Sequence, residues 1–245
     1  MKGSFIMSKP IRNRIMFSTP FDKGEFKKKF FSENNLNEVF FDFNNLIPLP
    51  KELILAHGII SDIALCHYRG IPSPHLKRCL NLITPELFKS EFEWSYDSSI
   101  DGYTNVVEYM SEEVQKIIKE NKGYTQYEAL LILHDIGKIL DDNITKYGFP
   151  TWYEWCLFNW GTEWLPSNGD IYDNTLMMVT KDKPPFPIYR KLCYLGYNFT
   201  VEYADDAGHN CGIITACDCN ISQTDYEENS MTARDICNDL WGPMR

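Results

Sequence analysis

Four residues near the end of the chain have side chains that bind zinc. They are His209, Cys211, Cys217 and Cys219. No Cys-x-x-Cys pair of the kind used by structural zinc sites occurs among them. All four numbers are odd, so a continuous strand would place these residues on one face, with Cys211 and Cys219 roughly 26 Å apart at about 3.3 Å per residue. The sequence therefore predicts thiols on the buried face of a sheet, unless a turn between them builds a site.

A second group with chemical potential is the run His134-Asp135-Ile136-Gly137-Lys138. This run resembles the His-Asp signature of HD-domain phosphohydrolases, in which a neutral imidazole and a carboxylate bind a divalent metal that activates water. One His-Asp pair supplies two ligands, and two more must come from neighbouring helices. The upstream candidates are His57, His67 and His75.

A purely structural interpretation of the same run is also open. Leu133, Ile136 and Leu140 form a helical stripe that we expect to be buried, with His134 and Asp135 beside it. The HD fold is all-helical, whereas the pattern after residue 170 is typical of a sheet. A metal-dependent phosphohydrolase built on His134 and Asp135 therefore stays as an alternative.

The most aromatic segment of the chain contains four tryptophans. They are Trp152, Trp155, Trp160 and Trp164. Aromatic side chains on a ferredoxin-like sheet can stack on bases, which would make the chain an RNA-binding module. Such platforms are accompanied by basic residues, whereas Glu154 and Glu163 lie in this segment. The composition favours an aromatic core, with a partner-binding surface as the second interpretation.

The elements that must position these residues follow from hydrophobic periodicity. Residues 1–50 read as strand, helix, strand, and form the first half of a sheet. Residues 51–150 are mainly helical, beginning with a helix from Pro50 to about Cys66, and include a stretch without a clean period at 69–103. Residues 151–217 hold the aromatic segment and the second half of the sheet, and residues 218–245 form an acidic tail. This order predicts an α+β fold, a ferredoxin-like antiparallel sheet split by a helical insertion.

The long helix of the insertion has a start signal in the sequence. Thr125 is an expected N-cap, and Glu128 lies three residues further on, so the two predict a capping box. Gly148 and Pro150 are expected to end this helix.

Charge narrows the classes of partner. The 245 residues contain 24 Lys and Arg against 34 Asp and Glu, a net charge of −10. Nucleic-acid binding depends on cations that displace counterions from phosphates, so general nucleic-acid binding is not expected. An acidic chain instead suits a partner with a basic surface.

The compartment is predicted from what the sequence lacks. The longest apolar stretch, residues 53–65, is shorter than the roughly 20 residues that span a bilayer, so no membrane association is expected. Met1 to Met7 lack the apolar core of a signal peptide. Eight cysteines without a secretory signal indicate free thiols, and we expect a location in the host-cell cytoplasm.

The aromatic segment and the strands after it resemble the YubB-like ferredoxin-like family, which is encoded on plasmids and phages. The matching residues are Tyr147-Gly148, Trp152 to Trp155, Asn159 to Trp164, Pro184-Pro185 with Pro187, and Glu202-Tyr203 before Gly212. The strand at Asn13-Arg14-Ile15 and the segment from Phe43 to Pro50 also look like the opening of that family. Residues 67–122 lie outside the pattern.

The resemblance implies a ferredoxin-like fold and a mobile-element origin. Its motif residues Trp152, Trp155, Asn159, Trp160 and Trp164 are candidate binding residues without an assigned role. We expect an accessory protein that binds a host protein, such as an inhibitor of a defence system like a CRISPR effector. No catalytic set and no cofactor are expected, with the HD-type phosphohydrolase and the RNA-binding module as alternatives.

Overall fold

The structure is a computed structural model that describes residues 9–33, 38–55, 57–81, 83–86, 106–120, 122–228 and 230–242. The chain divides into two compact units. The larger unit contains residues 1–48 and 156–245, and the smaller one contains residues 49–155.

The described strands lie in the larger unit. They are β1 (Pro10–Phe17), β2 (Phe31–Glu33), β3 (Val39–Phe41), β4 (Ser167–Tyr172), β5 (Thr175–Lys181), β6 (Phe199–Asp205), β7 (Cys211–Cys217) and β8 (Asn220–Asp225). The described α-helices are α1 (Lys23–Phe30), α2 (Ile59–Tyr68), α3 (Leu76–Leu80), α4 (Glu112–Glu120), α5 (Gln126–Tyr147), α6 (Trp152–Asn159), α7 (Phe186–Tyr194) and α8 (Met231–Trp241).

Six of the strands form one antiparallel sheet in the order β4-β5-β1-β6-β7-β8. Strand β1 is central because it pairs in antiparallel register with both β5 and β6. The strands β5 and β6 are therefore parallel to each other and are joined through α7, with β1 inserted between them, a split β-α-β arrangement. The predicted combination of helices with an antiparallel sheet is confirmed.

The first half of the predicted sheet contains an error. Strand β3 was expected to join β1, but it pairs with β2 in a separate two-stranded sheet. The reason is local: β2 follows α1 without a break, so β3 finds an antiparallel partner a few residues away. Sequential strands joined by a short connection pair readily as a hairpin.

The two faces of the six-stranded sheet are covered by different helices. On one face the side chain of Asn13 is fully buried, donates to Thr180 Oγ1 at 3.0 Å and accepts from the hydroxyl of Tyr189 on α7 at 2.8 Å. On the other face Arg12 donates to the carbonyl of Leu240 at the end of α8 at 2.7 Å. Odd-numbered side chains of β1 thus face α7, and even-numbered ones face α8.

The smaller unit is helical in its described part. The capping box predicted at Thr125 and Glu128 is confirmed, and α5 ends at Gly148 with a left-handed φ of 81°. The helix predicted from Pro50 is wrong in its start: Lys51–Leu53 form a 3-10 turn, and α2 begins at Ile59 after Gly58, whose φ of 147° breaks the helix. No helix in the described ranges combines the length and the apolar composition that spanning a bilayer requires.

The segment predicted as an acidic tail has regular structure in its described part. Asp218 and Cys219 have φ values of 49° and 63°, the conformation of a two-residue hairpin turn, and β8 returns along β7. Helix α8 then buries Ile236 and Leu240 against Ala204 and Cys211. Burial of this apolar stripe fixes the helix on the sheet.

Candidate functional site

The carboxylate of Asp135 holds the start of a neighbouring helix. Its Oδ2 accepts hydrogen bonds from the backbone N–H and the hydroxyl of Ser111, at 2.7 and 2.6 Å. Ser111 directly precedes α4, and its Oγ lies 3.4 Å from the N–H of Val114, as at a helix N-cap. The residue offered by the sequence as a metal ligand therefore positions a helix.

The imidazole of His134 is exposed and lies beside two other rings. Its centroid is 5.2 Å from that of Tyr68 and 6.4 Å from that of His67. Burial lowers the pKa of His67, and the charge of the nearby His134 lowers it further. In the part of the chain that the structure describes, no three His, Cys, Asp or Glu side chains are grouped to hold a metal. His134 and Asp135 thus find no third ligand there.

The glycine of the same run is explained by packing. A Cβ on Gly137 would lie 2.2 Å from the carbonyl oxygen of Ala64 and 2.6 Å from the Cβ of Tyr68. Helices α2 and α5 therefore cross at a distance that no side chain allows. This close crossing accounts for Gly137 without a catalytic role.

The four zinc-type residues are separated by the β7–β8 hairpin. Cys211 lies at the start of β7, buried, with its thiol 3.7 Å from the carbonyl of Ala233 on α8. Burial raises its pKa to about 11. Cys217 lies at the opposite end of β7 and Cys219 in the turn, and both are exposed, which corrects the prediction of buried thiols. The reason is that α8 covers the beginning of β7 and not its end.

Three of the four tryptophans are buried. Trp152, Trp155 and Trp160 are at most 9% exposed, so they do not form an open stacking surface. Trp160 donates its indole N–H to the carbonyl of Ile47 at 2.9 Å, and its ring meets that of Phe43 at 5.8 Å. The other two motif residues, Asn159 and Trp164, are partly exposed.

The segment after Trp160 forms one wall of a depression in the larger unit. Gly161 turns the chain with a left-handed φ of 82°, and a Cβ there would lie 2.9 Å from Cδ of Pro187. Thr162 donates to the carbonyl of Lys181 at 3.1 Å. The depression measures about 450 Å³, and its lining includes Gly161, Pro184, Tyr203, His209, Gln223 and Asp225. Several residues of the predicted resemblance therefore lie close together here.

Tyr203 and Asp225, which line this depression, belong to a row of three cross-strand neighbours. Tyr203 pairs with Gly212, and Gly212 pairs with Asp225. Because Gly212 has no side chain, the Tyr203 ring crosses over it and its hydroxyl donates to Oδ1 of Asp225. Gln223 donates to the same hydroxyl at 3.0 Å and to the same Oδ1 at 2.8 Å. Burial and the Asp225 carboxylate both raise the pKa of Tyr203, so the phenol stays protonated.

A loop with a buried carboxylate lines the depression through His209 and Asn210. Asp205 is fully buried and accepts hydrogen bonds from the backbone N–H groups of His209 at 2.8 Å and Asn210 at 3.2 Å. These bonds fix the β6–β7 turn. The ring of His209 lies 3.0 Å from the Glu228 carboxylate and 3.2 Å from Nζ of Lys9. The loop is thus held by hydrogen bonds within the chain.

Strand β8 borders the depression and is an edge of the sheet. Tyr226 donates its N–H to the carbonyl of Cys211 at 2.9 Å, which shows that even-numbered residues bond to β7. The odd-numbered residues Ile221, Gln223 and Asp225 therefore direct their N–H and C=O groups away from β7. No other strand of the described chain pairs with β8.

The surroundings of this edge are acidic. Asp218, Asp225, Glu227 and Glu228 are all exposed, and residues 218–228 contain no Lys or Arg. Oδ2 of Asp225 accepts no hydrogen bond from a described residue. The edge thus combines free backbone groups with a negative local field.

The sequence pointed to only part of this site. Tyr203 and Gly212 were among the residues of the predicted resemblance, but Gln223 and Asp225 were considered as part of a polar tail. The usable signal was the pair Asp218-Cys219 between the apolar run 211–217 and the polar run 220–225. This pair suits a tight hairpin turn less clearly than Asn-Gly would.

Comparisons with known proteins give little further information. No protein-family model matches the chain, and no curated protein matches it. Among solved structures, the chain is similar to the crystal structure of the protein api92 from Yersinia pseudotuberculosis, of the family model DUF1281. The TM-score is 0.38 at 10% sequence identity, over 91% of this chain and 100% of that chain. The resemblance to the YubB-like family stays a prediction.

Proposed function

We propose that this chain is a non-enzymatic accessory protein of a mobile genetic element, and that it binds a host protein with a basic surface. The observation that carries the proposal is the acidic surface formed by the β7–β8 turn, β8, the segment after it and α8. Six carboxylates there are exposed: Asp218, Asp225, Glu227, Glu228, Asp235 and Asp239. The described part of the same segment contains one basic residue, Arg234. Such a field favours encounter with a positively charged partner.

The class of partner follows from the same charge. Proteins that handle nucleic acids carry Lys and Arg on the surfaces that contact phosphates. An acidic protein can occupy such a surface and exclude the nucleic acid from it. A host defence factor, such as a CRISPR effector, is the partner that we propose. The resemblance to plasmid- and phage-encoded proteins supports this choice.

The resemblance also supports a finer description of the fold. We propose that the sheet is of the ferredoxin-like type, extended at both edges. The split β-α-β unit formed by β5, α7, β6 and the inserted β1 supports this description.

Binding is favoured over catalysis by the state of the polar groups. In the depression the Tyr203 hydroxyl and one oxygen of Asp225 are bonded to each other, and Tyr203 has a raised pKa. In the smaller unit Asp135 is bonded to Ser111. In both places the carboxylate holds a neighbouring part of the chain, Tyr203 on β6 or Ser111 before α4, which is a structural role.

The test is an affinity pull-down of the tagged chain from nuclease-treated host lysate, with identification by mass spectrometry. We expect a stoichiometric protein partner with a basic surface, retained at low salt and weakened as salt screens the charges. The substitution set Asp218→Asn, Glu227→Gln and Glu228→Gln should remove most of this binding.

The matched control removes the same charge from the smaller unit. It carries Glu108→Gln, Glu113→Gln and Asp142→Asn, all at exposed positions. Binding that is lost equally in both variants would show a net-charge effect only. A partner that neither variant weakens would contradict the proposal.

A further inference from the structure

We propose that β8 binds an extended, cationic segment of the partner by strand addition, so that the segment becomes a seventh strand of the sheet. This inference rests on the proposed function and supplies its mode of binding. In strand addition the backbone groups of an edge strand give affinity, and alternate side chains give specificity.

The backbone of β8 is suited to such an addition. Ile221, Gln223 and Asp225 direct three N–H and three C=O groups outward. The strand contains no Pro, no Lys and no register shift, the usual features that protect an edge.

The opposite edge of the sheet is built differently. Strand β4 has an irregular register between Ser167 and Asp170. A Cβ on Gly169 would lie 2.8 Å from the backbone nitrogen of Phe41, so β3 packs closely against this edge. The sheet therefore protects β4 with an irregularity and a neighbouring strand, and leaves β8 accessible in the described chain.

Charge selects the occupant. An added strand would place one side chain beside Asp225, as the next member of the row Tyr203, Gly212, Asp225. Oδ2 of Asp225 can accept a hydrogen bond from an Arg or Lys at that position. Glu227 and Glu228 lie directly beyond the strand end, so a segment with alternating basic residues is neutralised along its length.

A second copy of this chain is a poor occupant of the same edge. Pairing two β8 strands would bring together two segments that each carry four carboxylates and no basic residue within residues 218–228. Like charges facing each other across a strand pair are destabilising.

The experiment uses the full chain, labelled with ¹⁵N, and a blocked hexapeptide in which Arg and Thr alternate. Amide hydrogen exchange is measured with and without peptide. We expect the N–H groups of Ile221, Gln223 and Asp225 to exchange about tenfold more slowly or better in the complex. Those of Ser222 and Thr224, which already bond to β7, should change little. A peptide with Glu in place of Arg is the control for charge.

Two substitutions of Gln223 separate the contribution of its backbone N–H to peptide binding from that of its side chain. Gln223→Pro removes an outward N–H at a site where an edge strand tolerates proline, whereas Gln223→Ala removes only the side chain. We expect Gln223→Pro to weaken peptide binding roughly three- to tenfold relative to Gln223→Ala, because one intermolecular hydrogen bond is lost. Unchanged thermal unfolding of both variants would show that the fold is retained.

The outcomes distinguish this inference from the function on which it rests. Equal affinity of the two Gln223 variants, or no protection of the three amides at about 1 mM peptide, would overturn strand addition. The Arg peptide could still bind in that case. If the Asp218, Glu227 and Glu228 substitutions then abolished its binding, the acidic surface would be the binding site and strand addition would not be the mode of binding. If neither the peptide nor a lysate partner bound, both would fail.

Discussion

At the scale of single residues, Gly212 is the position on which the Tyr203–Asp225 row depends. A Cβ there would lie 2.3 Å from Oη of Tyr203 and 2.5 Å from the backbone oxygen of Thr224. The tyrosine can rotate away, but the backbone oxygen belongs to the β7–β8 ladder and cannot. The absence of one side chain thus lets a phenol reach across a strand to a carboxylate.

Gly212→Ala should therefore destabilise the chain by about 1–3 kcal/mol, the usual cost of overpacking. It should also displace Tyr203 from Asp225. Chemical denaturation measures the first effect, and the chemical shifts of the Tyr203 ring measure the second. Gly123→Ala is the control, since a Cβ at Gly123 meets nothing within 4 Å. A Gly212→Ala variant as stable as the control would contradict the packing argument.

Asp135 separates the structural from the catalytic interpretation of the His-Asp run. Its bonds to Ser111 predict that Asp135→Ala and Ser111→Ala each cost about 0.5–2 kcal/mol, as for a helix cap. The double variant should cost less than the sum, because both remove the same interaction.

The same residue gives a direct test with metal. A bound ion would stabilise the folded chain by mass action, so thermal unfolding with and without Mn²⁺ reports on it. We expect no rise in Tm. A rise that Asp135→Asn abolishes would support the phosphohydrolase alternative instead.

At the scale of elements, the crossing of α2 and α5 sets the packing of the smaller unit. Alanine is favoured over glycine within a helix by about 1 kcal/mol, so propensity alone predicts that Gly137→Ala stabilises α5. The added Cβ, however, would lie 2.2 Å from the Ala64 carbonyl oxygen, and this clash destabilises the folded state. A backbone atom cannot move aside as a flexible side chain can.

We expect packing to dominate, with a net loss of about 1–3 kcal/mol for Gly137→Ala. Lys138→Ala, at the adjacent exposed position of the same helix, is the control and should be close to neutral. Equilibrium unfolding of the two variants decides the sign. A stabilised Gly137→Ala variant would show that the helices can separate without cost.

The pair His67 and His134, on the same two helices, predicts a dependence of stability on pH. The pKa of His67 is lowered in the folded chain, first by burial and then by His134. Its neutral form is therefore favoured by folding, and stability is full above the unfolded pKa of about 6.5 and decreases as pH falls towards the folded pKa.

The effect on Tm should be no more than a few degrees, since His67 is only part-buried and solvent screens the repulsion. His67→Gln should lack this part of the pH dependence. The difference between the Tm values of the two proteins, measured from pH 7.5 to about 5, checks it. Identical pH profiles would exclude His67 as the cause.

The predictability of each element follows from whether its pattern is local. The capping box of α5 comes from nearby residues and was predicted. Strand β8 was missed because both of its faces are largely exposed, so it lacks the alternation that burial imposes. Strand β4 was missed because Asn168, Gly169 and Asp170 are typical of turns.

The candidate site was less predictable than the fold. It depends on which strands become neighbours, and the pairing of β3 with β2 shows that this is not readable from strand positions alone. Tyr203 and Asp225 are 22 residues apart, and only the register of three strands brings them into contact.

At the scale of the whole molecule, the net charge of −10 is not carried evenly along the chain. The β7–β8 turn, β8 and the segment after it form an acidic region at an accessible sheet edge. A charged surface of this kind changes association rates and specificity more than it changes stability. We therefore expect salt and surface carboxylates to control binding, and to have little effect on the stability of the folded state.

The most direct test of this account is the salt-dependent pull-down with the two charge-matched triple variants. We expect one identified partner with a basic surface to be lost with Asp218→Asn, Glu227→Gln and Glu228→Gln. The same partner should be retained with Glu108→Gln, Glu113→Gln and Asp142→Asn. A partner that binds all three proteins equally, at low and high salt, would contradict it.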